Sequence, residues 1–346
     1  MILPFTAVVG QEQMKLGLIL NVIDPAVGGL LIMGEKGTGK STTVRALAEL
    51  LPEIDVVAGC PFNCDPDGKV LCSACAAELA GSGTLRREKK KMKVVELPLG
   101  ITEDRLVGTL DIEHALKRGE KRFDPGILAD ANRNFLYVDE VNLLEDHIID
   151  LLLDSAAMGK NVVEREGISF THPARFILVG TMNPEEGELR PQLLDRFGLS
   201  VTVLSIREKE LRVTILKRRS AFDLHPESFL ADWQGEQDAL SGKITDAVQR
   251  LSAVQITDDL LDLLVGITLA LDVDGHRSDI VMVKAARALA ALRSMNAVTR
   301  REIADVAPLA LNHRLRRLPF EDVGSERRKM EEVLAQFQPP DGMGNP

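Results

Sequence analysis

In the N-terminal part of the chain, short apolar runs alternate with longer stretches whose apolar residues recur every three or four positions. The runs at 30–33, 94–97, 135–139, 176–181 and 201–204 are mostly Val, Ile, Leu, Phe and Met. Such runs predict strands covered on both faces, as in a parallel sheet. Helical periodicity over 42–51 and 146–157 predicts helices between them, and the alternation as a whole predicts an α/β fold. Between 162 and 176 the pattern changes: Val162-Val163-Glu164 and Ile168-Ser169-Phe170 flank a turn at Glu166-Gly167, as a β-hairpin would.

Beyond Leu204 no strand pattern remains. The segments 258–271, 281–296 and 300–314 carry apolar residues at helical spacing, and Thr257 and Thr299 are candidate N-caps, the second with Glu302 three residues on. The division predicted is a core over 1–205, a helical domain over 206–338 and a disordered Pro/Gly-rich tail over 339–346.

Composition narrows the function classes. A net charge of −10 over 346 residues argues against a general nucleic-acid or anionic-membrane binder, and 4% aromatic content leaves few stacking platforms for single strands. No apolar run reaches the roughly 18 residues of a membrane span, and the first residues lack a basic, apolar leader, so a cytoplasmic protein is expected.

The candidate chemistry begins at Gly34-Glu35-Lys36-Gly37-Thr38-Gly39-Lys40-Ser41, which matches G-x-x-x-x-G-K-[ST] directly between a predicted strand and a predicted helix. Glycines let successive backbone N–H groups converge on phosphate oxygens, and the helix that follows adds its own unpaired amides. Lys40 would neutralise the β/γ-phosphates of ATP and Ser41 would ligate Mg²⁺, with Thr42 next in the cradle. A chance glycine turn rarely has both flanking elements in place. The strand over 135–139 ends in Asp139-Glu140, where Asp139 can hold Mg²⁺ through water and Glu140 can orient or deprotonate the attacking water. Asn183 follows another apolar run and could touch the γ-phosphate, or simply form a turn before Pro184. Arg196, taken alone, reads equally well as a surface arginine.

Together these motifs resemble the AAA+ ATPases, a P-loop α/β core with a parallel sheet followed by an all-helical lid. Longer runs resemble one branch, the ATPase subunit I of magnesium chelatase: 97–113 (LPLGITEDRLVGTLDIE), 123–129 (FDPGILA), 138–148 (VDEVNLLEDHI), 161–167 (NVVEREG) and 183–199 (NPEEGELRPQLLDRFGL). The resemblance covers about 5–318. It implies a self-assembled, often hexameric ring with ATP between neighbouring copies. It also implies Arg196 as an arginine finger given to the next copy, Asn183 as sensor 1, Arg277 as the sensor-2 arginine, and Val9-Gly10-Gln11 beside the adenine. The segment 100–123 resembles the helix-2 insertion and 162–176 the pre-sensor hairpin. The partners implied are a second AAA+ protein, the D-type chelatase component, and a porphyrin-binding protein, the H-type component. The reaction implied is insertion of Mg²⁺ into protoporphyrin IX on the way to chlorophyll or bacteriochlorophyll. Alternatives are a cobaltochelatase-type or other chelatase-like ATPase with a different client, or a regulatory module that binds ATP with little turnover.

All four cysteines, Cys60, Cys64, Cys72 and Cys75, lie in an insertion over about 58–93. Two closely spaced pairs, with Pro61, Pro66 and Gly68 to turn the chain between them, make a candidate structural Zn²⁺ site. Free or redox-active thiols, or a disulfide, are the other reading. The basic run at 86–93 (RREKKKMK) is either a solvated loop or a docking patch for an acidic partner.

Overall fold

The computed structural model describes residues 1–111, 122–165, 168–187, 189–315 and 325–337. Its elements run α1 (Glu12–Ile23), β1 (Leu30–Gly34), α2 (Lys40–Leu50), β2 (Ile54–Val57), α3 (Ser73–Ser82), β3 (Arg87–Lys90), β4 (Val94–Leu97), α4 (Glu103–Val107), β5 (Gly108–Asp111), β6 (Arg122–Pro125), α5 (Ile127–Ala131) and β7 (Phe135–Val138). They continue with α6 (Asp146–Met158), β8 (Lys160–Arg165), β9 (Ile168–Pro173), β10 (Ile177–Met182), α7 (Pro191–Leu194) and β11 (Leu199–Val203). The helices α8 (Lys209–Leu224), α9 (Pro226–Arg250), α10 (Asp258–Ala270), α11 (Arg277–Leu292), α12 (Arg300–Leu311) and α13 (Ser325–Phe337) follow.

A five-stranded sheet in the order β11-β1-β10-β7-β4 forms the core. β7 lies between β4 and β10, parallel to both, with Phe135 opposite Val94 on one side and Ile177 on the other. Every residue of β7 and β10 is buried, which is why both read as continuous apolar runs. The anticipated hairpin is β8 paired with β9, from Lys160 opposite Pro173 to Arg165 opposite Ile168; its turn, and the tail over 339–346, lie outside the described residues.

The helices after Leu204 match the second pattern, with shifted ends. α11 begins at Arg277 rather than 281, because its polar first turn carries no apolar period. Thr299 and Glu302 form a capping box, whereas Thr257 holds the N-cap position of α10 without a side-chain bond.

The basic run at 86–93 is not a solvated loop throughout. Part of it is β3, paired antiparallel with β2, and several of its charges have local partners. Arg87 donates to both carboxylate oxygens of Asp67 at 2.8 and 2.6 Å, and Lys91 donates to the carbonyls of Glu49 and Leu51.

Two compact units emerge. The first comprises Met1–Gln11, Ile32–Leu189 and Val203–Ser241; the second comprises Glu12–Leu31, Arg190–Thr202 and 242–346. In the first, Ala7, Phe222 and Phe229 form a small core, and Thr6 bonds to Gln237. In the second, α11 and α12 pack through an Ala- and Leu-rich seam that includes Ala285, Ala286, Leu289, Ala307 and Ala310.

Candidate active site

The phosphate-binding loop is built as the sequence predicts. Gly37 and Gly39 both have φ of +80°, and α2 starts at Lys40 directly after Gly39. Gly34, which opens the loop, has φ of +150°, and a Cβ there would lie 2.1 Å from the Val203 carbonyl oxygen, so the strand end admits glycine alone. The Lys40 ammonium donates to the carbonyls of Gly34 and Glu35 at 2.6 and 3.1 Å. Burial lowers its pKa, opposed by the charges of Asp139, Glu140 and Glu186, so three carboxylates face this lysine. Glu35 points elsewhere and accepts the Ser205 hydroxyl.

The acidic end of β7 is tied into the sheet. Asp139 Oδ1 accepts hydrogen bonds from the hydroxyls of Tyr137, at 3.1 Å, and Thr181, at 2.6 Å. The Thr181 hydroxyl in turn accepts the Glu140 backbone N–H at 3.1 Å. Glu140 is left-handed, at φ 53° and ψ 53°, a conformation costing about 1–3 kcal/mol for a residue with a side chain. The Thr181 bond holds it there. Tyr137 also interacts with Ser41, and burial beside Asp139 raises its pKa, keeping the phenol protonated. The Tyr137 hydroxyl therefore connects the proposed Mg²⁺ ligands Ser41 and Asp139.

Sequence reading missed a further contact. The Lys36 ammonium lies 2.9 Å from a Glu140 carboxylate oxygen and 2.8 Å from one of Glu186. Asn183 lies at the end of β10, but its side chain accepts the Glu185 N–H at 3.3 Å, the local turn role that its position before Pro184 suggested. That turn brings Glu186 to Lys36.

Beside the loop, Val8, Val9, Gln11, Thr38, Thr42 and Ile206 line part of a cavity of about 730 Å³. Gln11 donates to the Thr38 carbonyl at 2.6 Å, and its own amide oxygen is buried without a partner, an acceptor free for an exocyclic amine. A Cβ at Gly10 would stand 3.0 Å from Ile206 Cδ1, so glycine there keeps the pocket wall in place. Cavity, orphan acceptor and phosphate loop together fit a purine nucleotide.

Arg196 and Arg277 belong to the second unit. Arg277 forms a long ion pair with Asp195, at 3.8 Å. Asp195 also accepts from Arg314 Nε at 2.9 Å, and the almost fully buried Arg314 guanidinium donates to the carbonyls of Asp195, Phe197 and Gly198 as well. His313 Nε2 donates to the Phe197 carbonyl at 3.0 Å. The backbone on both sides of Arg196 is thus clamped by α12's C-terminal extension.

Residues 112–192 match the family "Magnesium chelatase, subunit ChlI", and 261–333 match the AAA lid domain. The chain is 55% identical over 337 residues to a magnesium-chelatase subunit ChlI homolog of Methanocaldococcus jannaschii, covering 97% of this chain and 92% of that one. It is 55% identical to the magnesium-chelatase subunit ChlI of a Nostoc species, covering 97% and 90%. The chain belongs to the magnesium-chelatase ChlI family. A solved complex between subunits BchI and BchD of magnesium chelatase contains a chain 48% identical, with a TM-score of 0.55 over 96% of this chain and 99% of that one. A structure from Cytophaga hutchinsonii, 19% identical with a TM-score of 0.62, shares the fold.

As a ChlI-family AAA+ ATPase, the chain uses ATP and Mg²⁺. No helix among the described residues is long and apolar enough to cross a membrane. Thr181, Glu186 and Arg314, and the ion pairs that Lys36 makes, escaped the sequence reading because each acts through a partner distant in the chain. Only Thr181 carried a signal, as a hydroxyl at the end of a buried strand beside the acidic pair.

Proposed function

We propose that this protein is the ATP-hydrolysing motor of a magnesium chelatase, driving Mg²⁺ insertion into protoporphyrin IX in the cytoplasm. The observation that carries the reading is the convergence of Lys40, Asp139 and Glu140, the last held left-handed by Thr181. MgATP, when bound, supplies the phosphoryl group that is transferred to water. The loop from Gly34 to Thr42 cradles its phosphates through backbone amides, and Val9, Gly10 and Gln11 border the base. Ser41 and Asp139 hold the cation. Glu140 accepts a proton from the attacking water, and Asn183 helps to orient that water. Arg196 stabilises charge on the γ-phosphate of a neighbouring copy in a homo-oligomeric, hexameric ring, and Arg277 reaches the nucleotide from the lid. The D-type AAA+ component and the porphyrin-binding H-type component complete the assembly. Cys60, Cys64, Cys72 and Cys75 hold one structural Zn²⁺.

The test is Glu140→Gln, which keeps the side chain's shape and removes its basicity. Nucleotide binding is expected to persist while phosphate release falls at least a hundredfold. Near-normal turnover in this variant removes Glu140 from the mechanism.

A further inference from the structure

The insertion between β2 and β3 contains four buried cysteines whose sulfur atoms all lie within 4.8 Å of one another. Cys60 Sγ and Cys72 Sγ are 3.8 Å apart. A tetrahedron of thiolates with Zn–S bonds of about 2.3 Å has edges of about 3.8 Å, whereas a disulfide needs about 2.05 Å. The local backbone is arranged for charged sulfur. The Cys72 N–H donates to Cys64 Sγ at 3.2 Å, and Cys72 and Cys75 straddle the N-terminus of the ten-residue α3, where amides and helix dipole favour negative charge. Four apposed thiols in a dry pocket have no better partner than a soft cation with four-coordinate preference.

Phe62, between the first two cysteines, stacks on His172 of β9 at a centroid distance of 4.8 Å, and lies 5.9 Å from Phe170 and 6.3 Å from Phe123 of β6. Phe123 and Phe170 stack on each other at 4.0 Å. His172 is buried, with Nδ1 donating to the Pro173 carbonyl and Nε2 accepting from Asn161, which also donates to the Val107 carbonyl at the end of α4. Asn132, at the end of α5, donates to the Phe62 carbonyl at 2.7 Å and fixes the loop from below. One aromatic side chain therefore joins the cysteine loop to both the β5–β6 ribbon and the β8–β9 hairpin.

Resting on the zinc reading above, we propose that a tetrahedral Zn²⁺ at Cys60, Cys64, Cys72 and Cys75 folds this loop so that Phe62 braces the β5–β6 ribbon and the β8–β9 hairpin in one arrangement. The metal has no open coordination position, so its role is mechanical: occupancy sets the order of the two ribbons rather than any chemical step.

The experiment uses the full chain, purified under reducing conditions without a metal-binding tag. Elemental analysis is expected to give one zinc per chain, with four thiols masked until a mercurial releases the metal. Hydrogen exchange at 122–125 and 160–173 is expected to accelerate at least tenfold on metal release. It is expected to accelerate by a similar factor in Phe62→Ala, which should retain its zinc. Phe62→Leu, which keeps apolar bulk without the stack, serves if the alanine variant fails to fold. Metal-free protein with four reactive thiols and unchanged ribbons overturns both the zinc site and the brace. One zinc per chain with ribbons that ignore both metal release and the Phe62 variants overturns the brace and leaves the zinc site standing.

Discussion

Lys36 holds Glu140: the ammonium of the phosphate loop's third residue lies 2.9 Å from the carboxylate proposed as the catalytic base. The same ammonium contacts Glu186 at 2.8 Å, and these two contacts raise the lysine's pKa, so it stays charged throughout the physiological range. Lys36 thereby screens two carboxylates that an incoming polyphosphate must approach. The lysine is largely exposed, so its contribution is modest. Lys36→Ala is expected to raise KM for ATP about two- to fivefold with kcat little changed. Steady-state phosphate release checks this, and a collapse of kcat as deep as that of Glu140→Gln would make Lys36 part of the chemistry instead.

Thr181 couples the two acids that follow β7 through one hydroxyl, donating to Asp139 and accepting from the Glu140 amide. Thr181→Val keeps the shape and leaves that amide without its partner at a strained position. We expect a stability loss of about 1–3 kcal/mol and a lower kcat, both restored by Thr181→Ser. Urea denaturation and turnover are measured on the three proteins side by side. Failure of serine to restore kcat would trace the effect to packing of the methyl group.

Arg314 supports the segment that carries Arg196. Removing a buried guanidinium that bonds the Asp195 carboxylate and four carbonyls is expected to cost about 3–5 kcal/mol, nearer the lower figure because Asp195 is half exposed. If Arg196 acts on a neighbouring copy, Arg196→Ala and Lys40→Ala proteins, each inactive alone, regain partial ATPase activity when mixed. Arg314→Met in place of Arg196→Ala is expected to behave the same way. Proven co-assembly without recovery would move the finger to another residue, Arg190 first.

Much of this was legible in the sequence. The phosphate loop, the acidic strand end and the buried strands are local patterns, in which apolar runs and glycine spacing encode the element directly. Clamps and ribbons are different. Arg314 lies 119 residues from Asp195, and nothing in its own neighbourhood marks it as buried. β3 is hidden because Arg87-Glu-Lys-Lys90 has no apolar alternation; its pairing with Ile54–Val57 and the Asp67 contact sustain it. Asn183 shows the opposite case, where the local turn propensity seen in sequence is met by the side-chain oxygen, which accepts the Glu185 N–H.

Burial, aided by the Arg314 charge, pushes the His313 pKa down to about 3, from an ordinary value near 6.5. The sign follows: below pH 6.5 the unfolded chain binds a proton that the folded chain refuses until about pH 3. Folding stability therefore falls with decreasing pH across that window, by up to about 1.4 kcal/mol per unit from this residue. Between pH 6.5 and 5 the expected loss from this residue is about 1.6 kcal/mol, read by urea denaturation, and His313→Gln should flatten that slope by a similar amount. An unchanged slope would show that His313 does not titrate as its burial demands.

In the proposed reaction, ATP turnover at Lys40, Asp139 and Glu140 drives chelation. Its most direct measurement is reconstitution of this protein with the D-type and H-type chelatase components, MgATP and protoporphyrin IX, followed by Mg-porphyrin fluorescence. Fluorescence is expected to grow with time, to require ATP and to disappear when Glu140→Gln replaces the native chain. Absence of Mg-porphyrin with components that are active alongside another ChlI protein, or formation that survives Glu140→Gln, would contradict it.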